Sequence, residues 1–470
     1  MLTVNKIVDL TKGTLLGSAG LNPSITGFSI DSRTLKPGNV FVALQGDQFH
    51  GNVFAPSAVE NGAVAIITDK PLSHKTIPVI QVDNSLTALQ NIAEHQRSVF
   101  KGTVCCVTGT VGKTGVKEAL GYLLRQLGYN VHISQKSYNN HIGVPLTLTN
   151  LLDPLTTHAI VEIGTNHPGE ILPLTQMANP TLALVTAVGP GHIEFFNSVE
   201  DIALEKASIY SGLVPKGIAI LPKDSEYYDR MKQVALKNTS CSSISFGQDQ
   251  TAEISLVSAD LLTEKHHIRV SARIGDTKVS YTLPTIHYGW VNNSLAVLAV
   301  IYAMGLDVMA AASHFETLPL VDGRGQVHHI TVKGKLIRLI DDAYNANPLS
   351  MKAALETLAR YPGRKLAVIG DMRELGHFSE HYHRQMGQLC QTLSIDKVIA
   401  CGQHMEHAFQ ELQPEQQLAL VEGYQDVLAV LTEHLKDVDV ILLKASNGVK
   451  LHCVVSDLLK MAMTLPPESL

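Results

Sequence analysis

The chain has 470 residues and a mass of 50.9 kDa, enough for about three folded units at roughly 150 residues each. With 45% apolar and 17% charged residues and a mean hydropathy of +0.10, it carries enough apolar surface to offset chain entropy, which excludes a disordered protein. Its formal charge of −6, from 37 Lys plus Arg against 43 Asp plus Glu, comes without a long basic block and argues against nucleic acid as a partner.

The N-terminal stretch has charges at Lys6 and Asp9 and no sustained apolar segment before a small-residue cleavage site, so no secretory signal is read and a cytoplasmic protein is expected. From Val4 to about Phe100, apolar runs at Val40 to Leu44, Ala63 to Thr68 and Pro78 to Val82 alternate with helical stretches such as Leu86 to Val99, which predicts a small α/β domain. At Gly102 the pattern changes. Thr103 to Thr108 reads as a buried strand, followed by a glycine-rich loop and a helix from Lys113 to Leu127. Cys105 and Cys106 lie in that strand and, like the other four cysteines, lack metal-ligand spacing, so they are expected as buried thiols.

Further buried strands are predicted at Ala159 to Ile163 and Leu182 to Val188, the reading of parallel strands in a doubly wound sheet. A polar, antiparallel section from Ile254 to Thr282 follows, then an apolar helix from Asn293 to Met304. The apolar stretch Leu295 to Leu306 stops at Asp307, far short of the roughly 20 residues a bilayer requires. A domain boundary is expected between Asp307 and Gly323. The last third has strands at Leu336 to Ile340, Lys365 to Ile369 and Val438 to Leu443 that run into the polar clusters DDAYNANP, GDMRELG and KASNG. Ligands bind outside the carboxyl ends of such strands. The fold class is therefore α/β in three domains, with bounds at 1–100, 101–312 and 313–470: a small N-terminal α/β domain, a central P-loop ATPase-like doubly wound sheet and a C-terminal Rossmann-like domain.

The sharpest motif is TGTVGKTG at Thr108 to Gly115. Between a strand and a helix, glycines let backbone amides curl round phosphate oxygens, Lys113 adds a point charge and Thr114 offers a hydroxyl to Mg²⁺. The longer phosphate-loop pattern wants glycine at Val107, so what remains is G-x-x-G-K-T. Glu162 and His192 stand at predicted strand ends. A carboxylate suits Mg²⁺, whereas a histidine is a less typical ligand and His192 stays open between ligand and structural roles. Lys206, in VEDIALEKASIY, reads on its own as a solvated helix lysine. Asp341, Asp342, Asn345 and Asn347 fit either ribose and metal binding or a simple Asx-rich turn. Arg324 fits a phosphate across a cleft or a rim salt bridge.

Taken together, SIDSRTLKPGNVFVALQGDQFHGNVF (Ser29 to Phe54), TGTVGKTGVKEAL, YNNHIGVPLTL (Tyr138 to Leu148), EIGTNHPGEI (Glu162 to Ile171), DDAYNANPLSMKAAL and GDMRELG resemble the Mur ligases over nearly the whole chain. The DSRT and YNANP segments are similar to the branch that adds D-Ala-D-Ala. This resemblance implies an ATP- and Mg²⁺-dependent amide ligase of peptidoglycan precursor synthesis, and so of cell-wall building, cell shape and division. Its substrates would be UDP-MurNAc-tripeptide and D-Ala-D-Ala, and a monomer is expected. An N-terminal domain would hold the UDP-sugar, a central one ATP, and a C-terminal one would close on both.

The resemblance also implies roles for particular residues. Gly109, Thr110, Val111, Gly112, Lys113, Thr114 and Gly115 form the ATP loop. Thr114, Glu162, His192 and a carbamylated Lys206 hold metal, and Asn139 and Asn140 lie beside the transferred phosphate. Lys113, Lys206, His192 and Asn140 carry the chemistry. Asn293 contacts adenine, Arg324, Asp342, Tyr344 and Asn345 contact the nucleotide from the C-terminal domain, and Ser32 and Arg33 meet the uridine nucleotide. Two departures stand out: Gly289 replaces the usual histidine before the adenine-contacting asparagine, and the common KGS reads Lys444, Ala445, Ser446. The alternatives are another Mur-type ligase, a folate polyglutamate ligase, or a nucleotide-binding homologue without catalysis.

Overall fold

Short β-branched and apolar runs bounded by glycine or polar turns build three sheets. A computed structural model describes residues 2–17, 23–46, 48–72, 76–237, 240–262, 266–332 and 334–464, with backbone only for 462–464. Asp47 of the Ser29 to Phe54 motif lies outside the described residues, as do Met1 and 465–470 at the ends of the expected domains.

The first sheet contains β1 (Thr14–Leu16), β2 (Gly27–Ser29), β3 (Asn39–Ala43), β4 (Ala65–Thr68) and β5 (Val79–Gln81). Its order is β1-β5-β4-β3-β2, parallel except for β1. One face packs on the Val4–Thr11 and Ser85–Val99 helices, the other on Ala55–Glu60.

The second sheet contains β6 (Thr103–Thr108), β7 (Val131–Ile133), β8 (His158–Glu162), β9 (Leu182–Val185), β10 (Ile218–Pro222), β11 (Ser242–Gly247), β12 (Ile254–Leu262), β13 (His267–Ile274) and β14 (Thr277–Leu283). Its order, β14-β13-β12-β11-β10-β9-β6-β8-β7, puts β6 between β8 and β9. The chain leaves β6 toward one side and later returns on the other, so the loop after Thr108 stands at the topological switch point, where open α/β sheets bind ligands. Helices Lys113–Gln126 and Gly289–Ala303 cover one face, and Gly143–Thr149, Ile171–Ala178 and Tyr228–Leu236 the other. Burial on both faces explains the unbroken apolar runs of β6, β8 and β9.

The third sheet contains β15 (Gln326–Val332), β16 (Lys335–Asp341), β17 (Lys365–Gly370), β18 (Lys397–Cys401), β19 (Gln417–Val421) and β20 (Val440–Lys444), ordered β15-β16-β20-β17-β18-β19. Only β15 runs antiparallel to its neighbour. Among the described residues no helix is long and apolar enough to cross a membrane.

Three expectations shift. The helix expected from Asn293 starts at Gly289, which brings Trp290 into the core. The strand expected to Val188 ends at Val185, because Thr186 turns its hydroxyl to the carbonyls of Thr108 and Val111. Phe315 and Leu318 pack in the core of the second sheet, so that lobe continues past the expected divide at 312.

Side-chain amides and short loops join the lobes. Phe28 N donates to Asn150 Oδ1 at 2.8 Å while Asn150 Nδ2 donates to Phe28 O at 3.2 Å, so one amide pairs with β2 as a strand residue would. On the other side, Glu194 N donates to Glu374 O at 3.1 Å, and the hydroxyls of Ser137 and Tyr344 are 2.9 Å apart.

Candidate active site

β6 delivers the chain into a loop that only glycine can form at two points. Gly109 has φ 150° and Gly112 φ 86°, and a side chain at either would collide with Thr186 or Asn293. Thr110 N donates to Ala187 O at 2.8 Å and Thr110 Oγ1 to Gly189 O at 3.1 Å, which fixes the loop against the turn after β9. Val111 O accepts from Thr186 at 2.5 Å. Gly112 then caps the Lys113–Gln126 helix, whose free first-turn amides and positive dipole end face the loop. Thr114 is buried in that first turn, and Gly115 lies against the ring of Trp290.

Lys113 folds back so that its ammonium donates to Gly109 O at 2.7 Å. Burial lowers its pKa, Glu162 opposes the shift, and the charge of Arg324 adds to it. Lys206 departs from its solvated reading: it is 2% exposed, in the last turn of the Val199–Ala207 helix. Among the described residues no hydrogen bond or ion pair reaches its ammonium. Burial drives its pKa well below the usual lysine value, and the nearby charge of Lys113 pushes the same way. Lys113 thus lies within reach of the charges of Glu162, Arg324 and Lys206, and its own ammonium and the guanidinium of Arg324 suit a polyanion.

That carboxylate, Glu162, ends β8 and is 1% exposed. Its Oε1 accepts from Asn139 Nδ2 at 2.8 Å, whereas its buried Oε2 has no hydrogen-bond partner. A buried carboxylate oxygen without a donor is costly unless a cation meets it. Asn140 Oδ1 accepts from Ile142 N at 3.1 Å and Gly143 N at 3.0 Å, which ties it to the turn that leads into the next helix. His192 has φ 60°. Its Nδ1 lies 2.6 Å from Glu374 Oε2, a contact that holds the Glu374 carboxyl below the usual carboxylate range. Among the described residues no group of three or more His, Cys, Asp or Glu side chains could hold a metal.

The third lobe reaches in through Arg324, whose guanidinium stacks 4.4 Å from the ring centre of Tyr344. Asp342 is committed to a buried ion pair, with Lys444 Nζ 2.7 Å from Oδ2, and Lys444 also donates to Asn345 O at 3.0 Å. Both departures in the motifs have structural partners. His287 binds Gly289 N at 3.2 Å and lies 4.0 Å from Asp342. Ala445 packs against Gly370, which has no side chain to oppose it. Ser446 still ties the 371–373 turn, accepting from Arg373 N at 2.9 Å.

In the first lobe, Arg33 is held by Asp31 of its own loop at 2.7 Å, while Ser32 is buried and its carbonyl accepts from Asn61. The charges of Lys136 and Arg33 both act on Asp31, so this loop faces the segment that carries Asn139. The structure therefore gathers the phosphate loop with Glu162, Lys206, Asn139 and Arg324, and leaves Ser32 and Arg33 on the first lobe's side. Sequence reasoning missed Lys117, His287, Glu374 and Trp290. For Lys117 a signal existed, a lysine one turn after Lys113 between buried Val116 and apolar Leu120.

Three family descriptions match the chain: "Mur ligase family, catalytic domain" over residues 24–97, "Mur ligase middle domain" over 107–301 and "Mur ligase, glutamate ligase domain" over 323–447. The chain is 33% identical to the UDP-N-acetylmuramoyl-tripeptide–D-alanyl-D-alanine ligase of Rickettsia prowazekii, covering 90% of this chain and 93% of that one. It is 32% identical to the enzyme of that name from Bacillus subtilis, covering 97% and 98%. Among solved structures it is similar to MurF from Acinetobacter baumannii, with TM-score 0.86 and 27% identity over 97% and 98% of the two chains. It is also similar to MurF from Thermotoga maritima in complex with ADP, with TM-score 0.78 and 27% identity over 94% and 98%.

Proposed function

The chain belongs to the Mur ligase family, and from that premise we infer how it works as the ligase that adds D-alanyl-D-alanine to UDP-MurNAc-tripeptide in peptidoglycan synthesis, using ATP. The observation that carries the reading is the phosphate loop at the switch point, facing Glu162, Lys206 and Arg324 from three different elements.

The chemistry follows from the substrates. A carboxylate at neutral pH is a poor electrophile, because it is negatively charged and lacks a leaving group. Transfer of the γ-phosphoryl group to a carboxylate oxygen, with release of ADP, repairs both defects. The amine of D-Ala-D-Ala then attacks the carbonyl carbon, the tetrahedral adduct expels phosphate, and the amine loses its proton. Lys113, the loop amides and Arg324 neutralise the triphosphate, and the first lobe orients the acid. Asn139 and Asn140 line the approach to the transferred group.

The residues present suit Mg²⁺. Glu162 Oε2 lacks a donor and Thr114 stands in the loop's first turn; with His192 as a further candidate, a set this sparse fits an ion that keeps waters and takes phosphate oxygens. Bound there, the ion would neutralise charge on the phosphates. Lys206 fits a carbamate role: burial disfavours its ammonium form, and the neutral amine is the form that can take up carbon dioxide, losing a proton, to become an oxygen donor. We assign Asn293, Asp342, Tyr344 and Asn345 to the nucleoside, and Ser32 and Arg33 to the uridine end.

The lobes then divide the work as UDP-sugar holder, ATP site and closing domain. Because all three contribute within one chain, no second copy is required, and we read the protein as a cytoplasmic monomer. Incubating it with ATP, Mg²⁺, UDP-MurNAc-tripeptide and D-Ala-D-Ala should give the amide, ADP and phosphate by mass spectrometry. Incorporation of a diamino acid in place of D-Ala-D-Ala would reject the reading.

A further inference from the structure

We propose that Lys117 is a positioning residue for this reaction, acting by fastening the backbone of residues 134–140 to the phosphate-loop helix. The proposal rests on the ligase reading above.

Lys117 lies one turn beyond Lys113 and its side chain is fully buried. Its ammonium donates to Ser134 O at 2.7 Å and to Lys136 O at 2.8 Å, and meets Glu118 Oε1 at 2.8 Å. Two of its donors are thus committed to backbone carbonyls, and the third side of the ammonium meets a carboxylate. An apolar residue would fill this space without the cost of burying a charge. What the ammonium adds is the pair of bonds to carbonyls far along the chain, since Glu118 is 36% exposed and its attraction is screened.

The segment so held touches every lobe. Ser134 Oγ accepts from Glu162 N at 3.0 Å, and Asn139 binds the Glu162 carboxylate at 2.8 Å. Asn139 O accepts from Gly164 N at 2.7 Å. Ser137 meets Tyr344 of the third lobe, and the charge of Lys136 reaches Asp31 of the first. Lys136 has φ 48°, a left-handed conformation that is sterically costly for an ordinary side chain. Its carbonyl is pinned by Lys117. One buried ammonium thus sets the register between the nucleotide's helix and the side chain that orients Glu162.

The test compares Lys117→Met, which keeps length and burial but loses the donors, with the parent and with Glu118→Gln. Folding is checked by circular dichroism. The expected result for Lys117→Met is faster amide hydrogen exchange over 135–140 without substrates, with kcat lowered about a hundredfold, the scale of a small misplacement at a reacting centre. The KM for ATP should move much less, and half-maximal Mg²⁺ should rise. Glu118→Gln should stay near the parent. In an Asn139→Ala background, Lys117→Met should cost little further. Parent-like exchange and kcat in Lys117→Met, or a full additional loss on top of Asn139→Ala, would overturn the proposal. Should Lys117→Met not fold, Lys117→Gln is judged by the same criteria. Exchange needs no substrate, so its failure sinks the tether alone, whereas a parent protein that makes no amide sinks the ligase reading.

Discussion

The indole of Trp290 lies 3.3 Å from the point that a β-carbon on Gly115 would occupy. Gly115 is in the first turn after the phosphate loop, and Trp290 is 6% exposed near the start of the Gly289–Ala303 helix. The pair packs the nucleotide's helix against the helix that bears Asn293.

Gly115→Ala trades up to about 1 kcal/mol of helix propensity against a ring that must give by a few tenths of an ångström. Melting temperature should therefore change little. Because Trp290 is the chain's only tryptophan, its emission should shift in the variant. An unaltered spectrum would show that the ring does not sense this position.

Lys113→Ala should lower amide formation by roughly a thousandfold, the scale of losing a charged donor to a developing anion. Binding of UDP-MurNAc-tripeptide, measured by calorimetry without nucleotide, should be largely retained. Turnover near the parent rate would refute the role given to the loop.

Removing the amine at Lys206 tests its conversion to an anion. Lys206→Ala should lose activity and regain part of it with added short carboxylates, which can occupy the emptied space and offer oxygens. Absence of any recovery across formate, acetate and propionate would count against a carbamate.

Acid should unfold the protein early. Burial lowers the pKa of His132, His158, His287 and His383 below the usual value near 6.5. His383 shows why: its Nε2 accepts from Met372 N at 3.1 Å and its Nδ1 meets Ser379 O at 2.7 Å, which requires the neutral ring. A depressed histidine contributes stability that is fully present above pH 6.5. Below that, each one that stays neutral in the fold costs ~1.4 kcal/mol per pH unit until its folded-state pKa is reached. Melting temperature should thus fall steeply between about pH 6.5 and 5, and His383→Gln should shallow that slope. A flat profile there would contradict this reading.

The strands and the phosphate loop were legible because each depends on local pattern: Thr103 to Thr108 is buried on both faces, and Gly109 and Gly112 hold backbone angles that only glycine adopts freely. Lys206 was not, since the stretch VEDIALEKA gives no sign that its last turn is sealed. Burial there comes from other parts of the chain. The ion pair of Asp342 with Lys444 spans 102 residues, a relation that no spacing rule encodes. The family likeness implied a site role for both residues; the burial of Lys206 and the ion pair of Asp342 were visible only in the fold.

β2 is the outermost strand of its sheet, and its spare donor and acceptor at Phe28 are taken by the amide of Asn150. Open strand borders invite a second molecule to add itself. The amide that seats the first lobe therefore also occupies the border where another copy would add itself, and a protein lacking it should clump more readily than the parent.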